Sequence, residues 1–524
     1  MFGDFYIFLL VGCIPFFYWQ QREEGRNLVG ALITGFFLIL WLLTNTVPIS
    51  WDTPTIAVFC FTMWMIASMF WTNSRQSSRD IYTLVCCLVI FLVARRMTFD
   101  ILMPILFVPG LVFAGVSLYY HNVVIDKAED QRRKWPIFGN SNHVGAFLLV
   151  PLFVGLWLSF NVSWMIFPFT VVIGIAIALN QCRGAQLGAI IGLLFVASMQ
   201  VKWMVIAFPI LFIAALIVYR KRIISIAHRF SVLIAALFII KKAPLAGHGL
   251  RTFRREYPNI IPELLENKFT KSIFTKDVRK DKRTSVIEQN SSHRIHNDLF
   301  EIVLELGLIG LFLFLFIFNS LSWENHFFAG AVIAFSVHGL FFFPMREAHT
   351  AFPFFALLGA MATTSTIVMA INPIIAVTLG LIIIRISYEI AVKILGLSYF
   401  QQYCKIGVLP NSEDKKKLEQ KQFFINNAIK CDPYNNVYLT EGDFINALTN
   451  KELAFQYISR CMENTDGGKV RWGISDQYAR ALLRLGGFGV AKLALNYSLH
   501  ICPGFQQSKD LLEQINNLER SKVA

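Results

Sequence analysis

Apolar runs punctuate the chain almost from its start to residue 395, separated by short polar stretches until residue 241. They fall at 5–19, 28–47, 55–71, 80–94, 101–120, 143–160, 164–180, 187–201, 203–219, 223–240, 299–319, 327–345, 351–370 and 374–395. Each run is continuous, without the period-two alternation of a porin-like barrel, so the pattern predicts helices. A spanning helix needs about 20 apolar residues. Several runs fall short of that, so about 12 to 14 crossings are expected. The fold expected is all-α: a polytopic membrane domain over residues 1–397, interrupted by one large polar loop at 241–298, then a polar helical domain over 398–524.

The tail carries a repeat. "AIKCDPYNN" and "AKLALNYSLHICPG" each place small and large apolar residues ahead of a proline, Pro433 in the first and Pro503 in the second. The separation of the two prolines is close to two tetratricopeptide periods of about 34 residues, and predicts three degenerate helical hairpins. An unrelated small helical domain is the plainer reading. Repeats of this kind bind protein partners or position a domain.

Composition agrees with the membrane reading. Of 524 residues, 55% are hydrophobic and 16% charged, against about a quarter charged in a soluble chain. The first run lacks a basic flank and a small-residue cleavage site, so a retained helix is expected. Cysteines are scattered without a C-x-x-C pair, giving no zinc or redox motif. Net charge is +14, and residues 241–298 hold 13 Lys or Arg against 7 Asp or Glu. Such a loop is either a solvated basic segment beside lipid headgroups or a site for an anionic substrate.

The chemistry concentrates at "SSHRIHNDLFEIVLELGLIGLFLFLFIF", residues 291–318, where a polar cluster tips into an apolar run. His296 is a general-base candidate at the water–lipid boundary, because a histidine can accept a proton near neutral pH. His293, Asn297 and Asp298 stand beside it as supporting groups, and Asp298 and Glu301 suit the positive end of a helix. The plainer reading is a set of interfacial polar residues. His293 and His296 are spaced for metal ligation, but without a third ligand a metal is discounted.

"HNDLFEIVLELGLIGLFLF" resembles the most recognisable stretch of the O-antigen ligase and polymerase superfamily. "GHGLRTFRREYP" (247–258), "FGNSNHVGAFL" (138–148), "LNQCRGAQLGAIIGLL" (179–194) and "FFFPMREAHTAFPFFALLGAM" (341–361) are similar to four further elements of that family, in its order. Cys182 stands where the family usually has Ser.

The resemblance implies an enzyme of the bacterial inner membrane with its active site on the periplasmic face. Such enzymes take a glycan from an undecaprenyl-pyrophosphate carrier and join it, with inversion, to lipid A–core, to a growing glycan or to a protein. They use no metal, nucleotide sugar or other cofactor, and nucleic acid plays no part. His296 matches the family's essential base. Arg183 matches its membrane-helix arginine, and Arg251, Arg254, Arg255 and Arg346 are further candidates for holding the pyrophosphate, a task that suits a permanently charged bidentate donor. Asn140 and Asn142 would orient sugars or, more simply, cap a helix.

This arrangement puts Arg183, the loop 241–298 and Arg346 on the outer face. Arg95, Arg96 and the N-terminus then lie inside and the tail outside, with 187–219 forming one bent passage. A ligase is the first expectation, then a polymerase or a protein O-oligosaccharyltransferase. The competing classes are a membrane transporter, which would show paired intramembrane charges and internal halves, and a scaffold, which would need neither His296 nor the arginines.

Overall fold

The computed structural model describes residues 2–13, 29–37, 49–124, 141–200, 223–264, 294–362, 368–369, 373–406, 415–449, 488–501 and 506–523, together with 456 and 479. The positions 31, 51, 73–76, 181, 254–255, 258–259, 261–262 and 434–435 inside those ranges are excepted.

Apart from a two-residue antiparallel ladder, β1 (Ile49–Ser50) with β2 (Val368–Met369), and one isolated bridge, the described chain is helical or turn. The helices are α1 (Phe2–Ile7, continued as a π-turn to Cys13), α2 (Thr53–Ala67), α3 (Ser77–Ala94), α4 (Phe99–Val124), α5 (Ser141–Asn161), α6 (Phe167–Leu179), α7 (Arg183–Gln200), α8 (Ile223–Ile240), α9 (Asp298–Asn319), α10 (His326–Gly339), α11 (Ala348–Met361), α12 (Pro373–Lys405), α13 (Lys415–Cys431), α14 (Asn436–Thr449), α15 (Phe488–Ile501) and α16 (Gln506–Val523). The chain is an all-α polytopic membrane protein. Four stretches among the described residues are long and apolar enough to cross a membrane: Thr53–Phe70, Phe99–Tyr119, Ser141–Asn161 and Asp298–Asn319. Five shorter apolar helices accompany them. The bent passage expected over 187–219 lies largely outside the described residues, as does the middle hairpin of the tail.

Small residues set the closest helix pair. Gly184, Gly188 and Gly192 recur every fourth position on α7 and meet Gly330, Ala334 and His338 at the same spacing on α10. A Cβ at Gly188 would collide with the carbonyl oxygen of Ala334, and one at Gly192 would lie 2.5 Å from that of Gly330. Without a hydrophobic driving force inside lipid, such backbone approach is how membrane helices gain contact. The crossing fixes the start of α7, and so Arg183, against the end of α10.

α5 is the most enclosed of the four long helices, its buried side chains extending nearly all round it. α2 begins at an Asp52 cap, whose carboxylate accepts from the N–H of Thr55 (3.1 Å) and also pairs with Arg95 in the turn after α3.

The composition change at residues 397–398 does not coincide with a break in the backbone. α12 runs on to Lys405 because its last turns still bury Phe400 and Tyr403, now against Ile425, Ala428, Tyr438 and Ile445 of the tail. α13 and α14 pack on each other across a turn at Asp432-Pro433. α15 and α16 form a second pair.

Candidate functional site

α9 is two helices joined at Gly307, whose φ of 70° and ψ of −170° no helix accommodates. A break at membrane depth leaves backbone groups that lipid cannot satisfy. Here the loop after α8 satisfies them one by one. His248 and Gly249 donate their N–H groups to the carbonyls of Leu304 (2.9 Å) and Glu305 (2.8 Å). The N–H groups of Leu308 and Ile309 donate to the carbonyls of Pro244 (2.9 Å) and Leu245 (3.3 Å). These four are the groups that an unbroken helix would have paired with each other. The remaining carbonyl at the break, that of Leu306, accepts from the Trp64 indole (2.9 Å).

Such contact demands glycine. Gly247 (φ 71°) and Gly249 (φ 86°) are left-handed, and a Cβ on Gly247 would lie 2.5 Å from the Glu305 carbonyl. One on Gly307 would overlap the carbonyl of Leu245. The Gly-His-Gly of the loop and the Glu-Leu-Gly of the helix are therefore one structure, two halves of a single backbone junction.

The first half of α9 carries three carboxylates, Asp298, Glu301 and Glu305, all buried. Their spacing of three and then four residues stacks them on one helix face. Glu301 accepts from the Arg294 guanidinium (2.7 Å). Glu305 accepts from Arg346 (2.6 Å) with one oxygen and from the backbone N–H of Arg251 (2.7 Å) with the other. Asp298 accepts weakly from the N–H of Met345 (3.4 Å). One oxygen each of Asp298 and Glu301 is buried with no hydrogen-bond partner among the described residues. Asn297 caps the helix, accepting from the N–H of Phe300 (3.0 Å) while its amide donates to the Leu340 carbonyl (3.0 Å).

His296 precedes that cap with φ 59°. Among the described residues only His296 and Arg251 are non-glycine and left-handed. Strain of this kind costs about 1–3 kcal/mol and persists where the surroundings impose it, often at functional positions. The His296 ring lies over Phe343 (5.3 Å between centroids) and near Phe342 (6.3 Å), which stack on each other at 4.2 Å. Arg294 covers Phe343 from 5.4 Å. On Phe342 the His338 ring rests at 5.4 Å, and Gly184, next to Arg183, is packed so closely on His338 that an added Cβ would lie 2.7 Å from its Nδ1. Gly184, the residue after Arg183, and His296 thus reach the same aromatic corner from opposite sides.

Asn142 lies within the first turn of α5. It is the second residue of α5, and its side-chain oxygen accepts from the Cys182 thiol (3.2 Å), while Asn180 donates to the Ser141 carbonyl (2.8 Å). Cys182, the residue before Arg183, is therefore tied to the start of α5. His293, Arg254, Arg255 and Asn140 lie outside the described residues. Arg346, expected at the pyrophosphate, holds Glu305.

A second grouping has no counterpart in the sequence reading. His143 at the start of α5 and Glu347 and His349 around the start of α11 are all buried, and each offers a ligand atom within 4.8 Å of the others. The Glu-x-His spacing is visible in the sequence, but its partner stands far upstream, on a helix separated from it by most of the membrane domain. His143 also meets Phe342 edge-on at 5.0 Å.

Comparison with known families then bears on what this scaffold is. A family model described as O-antigen ligase matches residues 144–315. This part of the chain is an O-antigen ligase-family domain. The ligase-family segment runs from the first turn of α5 to the second half of α9. It includes Arg183, the Gly-His-Gly loop, Arg251, His296 and the broken helix, and supports a place in the O-antigen ligase/polymerase superfamily. Arg346, Glu347 and His349 lie beyond the segment and His143 just before it. Neither a curated protein nor a solved structure matches the chain.

Proposed function

We propose that the chain is an inverting glycosyltransferase of the ligase type. It moves a glycan from undecaprenyl-pyrophosphate to an acceptor hydroxyl at the outer face of a bacterial inner membrane. The observation that carries this reading is His296, held left-handed at the head of a broken membrane helix over Phe342 and Phe343, with Gly184, the residue after Arg183, packed on His338 at the other side of Phe342. In the proposed reaction, His296 removes the proton of the acceptor hydroxyl. The oxygen attacks the anomeric carbon from the face opposite the carrier, and the bond to the pyrophosphate breaks with its electron pair on the leaving oxygen. Arg183 neutralises that developing charge, with Arg251 at the loop as the second cation. The buried Asp298 and Glu301 oxygens suit recognition of sugar hydroxyls beside the base. Arg346 is assigned to holding the helix through Glu305.

Lipid A–core is the acceptor we propose first, with a growing glycan or a protein hydroxyl as the alternatives that the same site serves. The tail hairpins are proposed to recruit a protein partner. A transporter also uses a broken helix, but there the loosened backbone faces the cargo. Here the loop 244–249 and Trp64 occupy those groups, which favours an enzyme.

The test is transfer in vesicles from a lipid-pyrophosphate-linked glycan. His296→Ala and Arg183→Ala are expected to lose about 10²–10⁴-fold in rate while keeping the wild-type helical spectrum. Full activity in His296→Ala would remove it as the base. An inactive wild type, across several donors and acceptors, would favour transport or scaffolding instead.

A further inference from the structure

We propose that His143, Glu347 and His349 form a binding site for one divalent transition-metal ion, zinc by chemistry, that ties the start of α5 to the start of α11. Two imidazoles and a carboxylate are a ligand set that zinc takes, leaving a fourth position for water. Imidazole disfavours magnesium and calcium, which prefer oxygen alone.

The geometry is close to what binding needs. The three ligand atoms all lie within 4.8 Å of one another, and the two rings are 4.9 Å apart and tilted by 50°. Tetrahedral zinc spaces its ligands about 3.4 Å apart, so side-chain rotations drawing the atoms in by about an ångström complete the site. All three residues are almost fully buried. A dication would offset the desolvation of Glu347, and the Phe342 edge against His143 limits how that ring can turn away.

The three residues come from two separate places in the chain, and all lie outside the ligase-family segment 144–315. The glycosyl transfer proposed above needs no metal at the reacting atoms. The ion is therefore assigned a holding role: it clamps the start of α5, which bonds Cys182 through Asn142, to the segment just after Phe342 and Phe343. A hydrogen-bonded His–Glu–His relay with no metal is the rival arrangement.

The experiment uses the full chain in detergent, purified through a histidine-free tag and stripped with chelator. It is titrated with Co²⁺ as the spectroscopic probe, and Zn²⁺ content is measured by mass spectrometry. The expected result is one ion per chain, a visible cobalt band and a rise in melting temperature. His143→Ala and Glu347→Gln should each bind cobalt at least about tenfold more weakly, and His326→Ala should bind as wild type does. Glu347→Gln keeps the shape of the residue and one accepting oxygen while removing the charge, so it reports on the site even if His143→Ala misfolds. Wild type that takes up neither ion, or a Glu347→Gln variant with unchanged cobalt affinity, overturns the proposal in favour of the relay. These readouts do not depend on glycan transfer.

Discussion

The two halves of α9 share one helix and almost nothing else. Before Gly307, residues 298–306 carry three buried carboxylates answered by arginines and backbone N–H groups of three other segments. After it, residues 308–319 contain no titratable side chain, and Leu308, Ile309, Phe312 and Leu315 are exposed. One half is solvated by protein and the other presents its face to lipid. The difference teaches how a membrane protein carries several charges within one span. The charges are confined to the length where protein surrounds the helix, and the backbone break marks the change of surroundings.

The strongest way to break that division is at the junction. Gly307→Ala places a methyl group into the Leu245 carbonyl at a left-handed residue. It should cost about 4 kcal/mol or more, the range reserved for strain and overpacking together. The check is yield of folded protein and melting temperature in detergent; a variant that melts like wild type would mean that the junction is not needed. Next comes Glu305→Ala, which leaves Arg346 buried without its carboxylate. A loss of about 3–5 kcal/mol is expected in thermal or denaturant melts, with Glu305→Gln recovering part of it through the remaining hydrogen bonds. Phe312→Ala, on the lipid-facing half, should change stability by no more than about 0.5 kcal/mol. If it cost as much as Glu305→Ala, the two halves would not differ as described.

Much of this was legible in the sequence, and the rest was hidden for identifiable reasons. Continuous apolar runs gave helices because period and length are local properties. Asp298 and Glu301 read as an acidic first turn, and they form one; Asn297, read as a supporting group, is the cap of that helix. The partners of those carboxylates were not legible. Arg346 lies beyond α10 from Glu305, and His143 lies on the far side of the whole ligase-family segment from His349, so no spacing announces either. Gly307 sits in an apolar run where a glycine is ordinarily tolerated, and only the loop pressed against it shows why it is there. The four-residue recurrence of Gly184, Gly188 and Gly192 is visible in the chain, yet nothing in it names α10 as the partner. The end of α12 was hidden for a different reason. Composition changes at residues 397–398, but Phe400 and Tyr403 give the helix something further to bury, so it continues.

The junction at Gly307 also bears on how the protein is made. A continuous α9 would pair Leu304 and Glu305 with Leu308 and Ile309 itself; the docked loop pairs the same four groups with residues 244–249 instead. Hydrogen bonds are thus exchanged and not lost, so the helix can enter the bilayer whole and open only once the loop arrives. The loop precedes the helix in the chain, so translation delivers the replacement partners before the groups that need them.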